Sequence, residues 1–286
     1  GRLYFKRTLG DLGRFSMAYH YGFAKGEYPK LSAVMNSPQK LTAAQYGEAR
    51  HLCAWLAYDM NRRATFPWGT GVHLNNPNMS IMAMEARVKS GLLVEDHPMF
   101  KPWGRWSAAF LRDYIRRFTR DSGALYENPH YSLGVTLDWA AQANNVLMEH
   151  GLGDAFDTEL FRKSIRFTMD WLTPPDPRFK GHRVVLPLGN CSYQSVPPTF
   201  GTQFVQYYEQ RDPELAAQLQ WVANQTLPDD KKIKIVNNEL PPPLKSVHYE
   251  DYGVYFRHGF GTPYETLLAF MAGNCDGHYE WETDQM

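Results

Sequence analysis

The sequence predicts an α+β multidomain chain: an incomplete (α/α) toroid over residues 1–228, followed over 229–286 by a second domain that begins to build a sheet. Three observations lead there. Apolar residues recur at helical spacing from about residue 42 to about 226, no fixed-period repeat is visible, and after Pro228 the pattern turns to short runs rich in Val, Tyr and Phe. A length of 286 residues allows roughly two domains, and 43% apolar residues suffice for their cores.

Thr42 is placed to cap the first clear helix, in which Leu52, Trp55, Leu56 and Met60 recur at three- and four-residue intervals. Helical patterns follow over 80–89, 106–119, 133–150, 158–172, 199–209 and 213–225. Gly151 closes one helix and Pro174-Pro175 another, while Gly69, Gly71 and Gly123 mark loops that carry polar residues. Helices alternating with long loops fit paired helices in a barrel or toroid better than a regular solenoid. Beyond Pro228, residues 229–234 are charged and Pro241-Pro242-Pro243 is a stiff break. Strands are then expected at 247–249, 253–257 and 264–270, with Gly259 and Gly261 in the turn before the last. Two or three strands leave unpaired edges, so the sequence is expected to be a fragment of a longer chain.

Thirty Lys and Arg balance thirty Asp and Glu. No global charge therefore draws the chain to nucleic acid or a membrane surface, and affinity for an anion must come from local cations. No run approaches the ~20 apolar residues of a membrane span. Cys53, Cys191 and Cys275 are an odd number without CxxC spacing, which encodes neither a disulfide framework nor a cysteine zinc site; each is expected to be a small buried residue. The seventeen Tyr and eight Trp fill cores, and their faces also suit sugar rings.

Three clusters carry chemistry. In His73-Leu74-Asn75-Asn76-Pro77-Asn78-Met79 the amides precede a helix, where Asn caps the backbone and can also hydrogen-bond a substrate carboxylate, aided by the helix dipole. In Tyr126-Glu127-Asn128-Pro129-His130-Tyr131 a phenol adjoins an imidazole and a carboxylate, just before a helix with Asp138 and Trp139. Arg112, Arg116, Arg117 and Arg120 crowd the preceding helix, either as a solvated face or as cations that tune the phenol. In the third cluster, His278 stands with Glu280 and Asp284 as a base, a metal ligand or an ion-paired residue. His248 and His258 lie on the same β segment, yet their spacing with His278 matches no sharp zinc pattern. A divalent metal in the β domain thus has no support from spacing, and no cofactor is required.

The order and spacing of the helix array, the Asn loop, the Glu127 to Tyr131 cluster, Tyr249-Glu250-Asp251-Tyr252-Gly253-Val254-Tyr255-Phe256-Arg257 and Gly277-His278 resemble the heparinase II/III-like polysaccharide lyases. The resemblance implies an (α/α) toroid joined to an antiparallel β-sandwich, of which this chain holds the beginning. It also implies β-elimination on an anionic, uronate-containing polysaccharide or oligosaccharide, and a periplasmic or extracellular location. In such enzymes an Asn or His neutralises the uronate carboxylate, a Tyr protonates the leaving oxygen and a His helps to abstract the C5 proton. The matching positions are Asn76 or Asn78, Tyr131 and His278, with Glu127, His130, Arg116 and Trp139 as substrate-binding neighbours. Where related enzymes carry adjacent Asn-His, this chain has Asn76-Pro77-Asn78; where they carry His-x-His-x-Asp, it has His278-Tyr279-Glu280-Trp281-Glu282. Two rival readings stand beside the lyase: a glycoside hydrolase using carboxylates such as Glu127 and Asp138, and a carbohydrate-binding module without turnover.

Overall fold

The computed structural model describes residues 22–62, 77–189 and 191–272. The chain divides into two compact units: Gly1–Tyr114 with Gln142–Ala155, and Ile115–Ala141 with Phe156–Met286. Nine α-helices and one small sheet make up its regular structure among the described residues: α1 (Tyr28–Met35), α2 (Ala43–Met60), α3 (Pro77–Leu92), α4 (Phe100–Phe118), α5 (Pro129–Tyr131), α6 (Leu137–Glu149), α7 (Glu159–Met169), α8 (Pro198–Tyr208) and α9 (Pro213–Thr226), then β1 (Val247–Tyr249), β2 (Gly253–His258) and β3 (Thr266–Met271). The protein is therefore helix-rich with a three-stranded antiparallel sheet.

In the first unit, Thr42 caps α2 as its sequence position suggests. Its hydroxyl accepts from the Gln45 backbone and the Gln45 side chain returns to the Thr42 backbone, a complete capping box. Phe23, Cys53, Ala57, Met60, Ala86, Leu93, Val94 and Trp103 form its apolar core. Helix α3 begins at Pro77, whose missing N–H is no loss in a first turn, and it starts three residues earlier than the apolar pattern suggests. It also buries charge. Glu85 is fully buried and one of its oxygens, Oε1, takes both Lys25 (2.9 Å) and Lys89 (2.5 Å). Arg87 donates to the Asn61 carbonyl at 3.0 Å and lies 4.0 Å over the Trp106 ring; burial lowers its guanidinium pKa to about 9.

In the second unit, Thr158 caps α7, whose Phe161, Ile165, Phe167 and Met169 are buried. Phe156 stacks on Phe161 at 4.0 Å, and Phe204 of α8 packs against both. Helix α9 is tied to the segment after it by Asn224, which donates to the Ile233 carbonyl at 2.8 Å and accepts from the Ile233 N–H at 2.7 Å.

The strands run in the order β1-β2-β3, with Val247 opposite Tyr255 and Tyr255 opposite Ala269. Period-two alternation gives β2 an inner face of Tyr255 and Arg257 and an outer face that exposes Phe256 and His258. On the inner side, Tyr249, Tyr252 and Tyr255 surround Phe167 with edge-on contacts of 4.7, 4.9 and 6.4 Å. Arg257 donates to the Leu172 carbonyl at 2.6 Å, so the sheet is fastened to the chain that leaves α7. Gly253 (φ 153°) permits β2 to start against β3, since a Cβ there would lie 2.2 Å from the Phe270 carbonyl oxygen.

Candidate functional site

The second sequence cluster forms one built turn in the second unit. A tight hairpin precedes it: Arg120 N–H donates to the Ala124 carbonyl at 2.8 Å, and Tyr126 N–H to the Phe118 carbonyl at 3.1 Å. Gly123 sits at its tip with φ 95° against α7, where a Cβ would come 2.7 Å from the Lys163 Cβ and 2.8 Å from its backbone carbon. Only glycine suits both the angle and the approach. The arginine series read as one face of α4 is divided by this turn. Arg112, Arg116 and Arg117 are exposed, whereas α4 ends at Phe118 and Arg120 is buried with its guanidinium 4.3 Å over the Tyr126 ring.

After the hairpin, buried groups hold the backbone that carries His130 and Tyr131. Asn128, fully buried, caps α5 by accepting from the Tyr131 N–H at 2.9 Å, with Pro129 next to it at the first helical position. Glu127 is 3% exposed; its Oε1 accepts the Asn128 N–H at 3.1 Å and its carbonyl accepts the Ser132 hydroxyl at 2.9 Å. A π-helical segment, Ser132–Thr136, then joins α5 to α6, and the Thr136 hydroxyl donates to the Tyr131 carbonyl at 3.1 Å. Such a widened turn changes the direction in which the preceding side chains leave the helix.

His130 is exposed and Tyr131 half-buried, with their rings edge to face at 5.4 Å. The His130 Nδ1 lies 2.6 Å from Gln194 Oε1. Gln194 belongs to a loop that is itself fixed. Its carbonyl accepts the Val185 N–H at 2.8 Å, the Ser195 hydroxyl donates to the Thr226 carbonyl at 2.7 Å, and the Val196 N–H donates to the Thr226 hydroxyl at 2.9 Å. Cys191 of the same loop is half-buried rather than fully buried, and its thiol donates to the Leu188 carbonyl at 3.1 Å. Burial pushes that thiol above its ordinary pKa, opposed by backbone hydrogen bonding with His130 and Leu188.

The sequence-expected residues thus fall into three groups. Glu127, His130 and Tyr131 share the Asn128 turn; Trp139 follows on α6, 9% exposed, and Arg116 is exposed on α4. Asn78 belongs to the first unit, buried in the first turn of α3, where its Oδ1 has no hydrogen-bond partner among the described residues. Asn76 and His278 lie outside the described residues. Gln194 and Cys191 are absent from the sequence reading of the site. No motif joins Gln194 to His130 across 64 residues, and the only hint is the polar run Cys191-Ser192-Tyr193-Gln194-Ser195 in a loop.

Among the described residues no group of three or more His, Cys, Asp or Glu is placed to hold a metal ion. His248 and His258 are both exposed on the sheet. No helix among the described residues is long and apolar enough to cross a membrane.

No protein-family model matches the chain, and no curated protein matches it. Among solved structures, one described as a heparinase III, the BT4657 gene product, is similar over 92% of this chain with a TM-score of 0.48 and 13% sequence identity. The chain spans 43% of the length of that structure. At that level of likeness neither fold nor activity transfers.

Proposed function

We propose that this chain is part of a polysaccharide lyase that cleaves a uronate-containing, anionic polysaccharide by β-elimination. The observation that carries the reading is the Asn128 turn, which holds an exposed imidazole and a phenol in edge contact at 5.4 Å. β-Elimination asks for a base to remove the C5 proton and an acid to protonate the departing 4-oxygen, and a His-Tyr pair on one rigid turn suits both tasks. The proton is weakly acidic because the neighbouring carboxylate is already negative, so the reaction also needs that charge neutralised. Asn76 or Asn78 is proposed for the carboxylate, Tyr131 as the acid and His278 as a participant in proton abstraction. His130, Glu127, Arg116 and Trp139 are proposed to line or support the site. Loss of one neutralising donor would cost on the order of 3–4 kcal/mol of transition-state stabilisation.

In this reading residues 1–228 form the (α/α) toroid, residues 229–286 begin the β-sandwich, and the enzyme works in the periplasm or outside the cell. The hydrolase alternative would use a facing pair of carboxylates such as Glu127 and Asp138; both are buried, Glu127 accepting the Asn128 N–H and Asp138 accepting from Gln203 at 3.2 Å, which favours the lyase over hydrolysis by this pair. The test is incubation of the full chain with a panel of uronate polysaccharides while ultraviolet absorbance is followed. Growth of the unsaturated-uronate band supports the lyase; saturated reducing ends without that band favour hydrolysis, and binding without either product favours a carbohydrate-binding module.

A further inference from the structure

We propose that Gln194 is a positioning residue that holds His130 as the Nδ1–H tautomer, leaving the Nε2 lone pair as the base this turn presents. A neutral imidazole has one donor and one acceptor nitrogen, and an amide oxygen can only accept. The 2.6 Å contact between His130 Nδ1 and Gln194 Oε1 therefore places the proton on Nδ1. His130 itself is exposed, and Nε2 is then the ring nitrogen without a proton.

The contact is held from both ends. On one side Asn128 and Pro129 fix the turn through the 2.9 Å cap to the Tyr131 N–H, and on the other Gln194 is pinned by the Val185 N–H at 2.8 Å and by Ser195 and Val196 on Thr226. Cys191, three residues before Gln194, is tied back to the same loop by its thiol, which donates to the Leu188 carbonyl at 3.1 Å. Fixing the ring nitrogen that is not used for chemistry is how a neighbouring acceptor sets the basicity and aim of the other.

The inference rests on the lyase reading for its use and extends it. His130 would then join His278 in proton abstraction: in β-elimination the Nε2 lone pair would bond to the C5 proton as the C–H electron pair passes into the enolate. The departing 4-oxygen takes a proton from an acid such as Tyr131; the imidazolium then returns its proton to water and the phenolate regains one from water, restoring both groups.

The decisive measurement is the two-bond proton–nitrogen NMR correlation of the His130 ring in uniformly labelled full-length protein at neutral pH. The expected pattern is that of Nδ1–H. Gln194→Leu should convert it towards the Nε2–H form that free imidazole favours, while Gln194→Glu, which keeps an acceptor oxygen, should retain it. On a cleaved polysaccharide, Gln194→Leu should lower kcat by roughly 10-fold or more with KM little changed, and Gln194→Glu should be less affected. An Nε2–H pattern in the unaltered protein would overturn the inference, because it would mean that the amide is reversed and its Nε2, buried and without a partner among the described residues, donates to Nδ1 instead. So would an Nδ1–H pattern that persists in a folded Gln194→Leu. These readouts need no substrate: an Nδ1–H pattern that depends on Gln194, in a protein that cleaves no uronate polymer, would leave the positioning role standing and remove the lyase.

Discussion

Two regions of the second unit bury polar groups to opposite ends. Beneath the sheet, the Glu265 side chain is 1% exposed and each of its oxygens has two donors: Arg183 (2.8 Å) and Arg257 (2.7 Å) on Oε1, Arg183 (2.6 Å) and the Gly261 N–H (2.9 Å) on Oε2. Burial pushes this carboxyl up, but the Arg183 hydrogen bonds, the Gly261 N–H and the two guanidinium charges outweigh it and leave it below its ordinary value. At the Asn128 turn, by contrast, Glu127 accepts the Asn128 N–H and Asn128 accepts the Tyr131 N–H, and the turn carries the exposed His130. The first arrangement joins the sheet to the segment that follows α7. The second arrangement fixes a direction in space. Polar groups closed on one another should therefore govern stability, and those closed on backbone should govern activity.

Glu265→Ala should break the comparison most severely. It leaves two buried guanidinium groups without their shared carboxylate, at a cost of roughly 3–5 kcal/mol. Urea unfolding followed by tryptophan fluorescence would measure it. A change under about 1 kcal/mol would mean that the sheet is held by its aromatic contacts instead.

Asp170 gives the same region a pH dependence. Burial is the main cause that raises its carboxyl to about 6, opposed by the hydrogen bond from Tyr249 at 2.5 Å and the charge of Arg257. An unfolded Asp titrates near ~3.9, so the folded state holds the proton more tightly, and the associated stability is complete below that value. It is lost as pH rises through about 6, by about 3 kcal/mol in all. Asp170→Asn should flatten that part of the stability profile; an unchanged profile would assign the dependence to other groups.

Asn128→Ala is expected to cost about 1–2 kcal/mol for the lost cap. If the turn works as described, turnover should fall by much more than the loss of folded protein explains. A variant whose activity simply follows its folded fraction would place Asn128 with Glu265 as a residue of stability alone. The smallest effect should come from salt. Exposed Arg112, Arg116 and Arg117 can attract a polyanion only through solvent, where charges are screened over ~8–10 Å. Binding of a uronate polymer should weaken progressively as salt rises, and a salt-independent affinity would point to neutral sugar contacts.

What the sequence made legible follows from the range over which each signal acts. Thr42, Thr158 and Gly151 mark helix ends because capping is local, and the three strands stand out through alternation that the sheet reproduces at Tyr255, Phe256, Arg257 and His258. The Glu127 to Tyr131 cluster was readable because its members are neighbours in the chain. Gln194 was not, since its contact with His130 is made by folding across 64 residues. Arg120 was grouped with the arginines of α4, but α4 ends at Phe118 and the next residues turn into a hairpin that carries the guanidinium onto Tyr126. The π-helical segment after Tyr131 likewise has no counterpart in the spacing of apolar residues.

The central claim is that the phenol on the Asn128 turn supplies a proton in β-elimination, and Tyr131→Phe tests it most directly. The substitution removes only the hydroxyl and keeps the ring that meets His130 at 5.4 Å. Turnover of the cleaved uronate polymer should fall by roughly 10²–10⁴-fold, with substrate binding and thermal unfolding close to those of the unaltered protein. A folded Tyr131→Phe protein that turns over its substrate at a near-normal rate would contradict the claim.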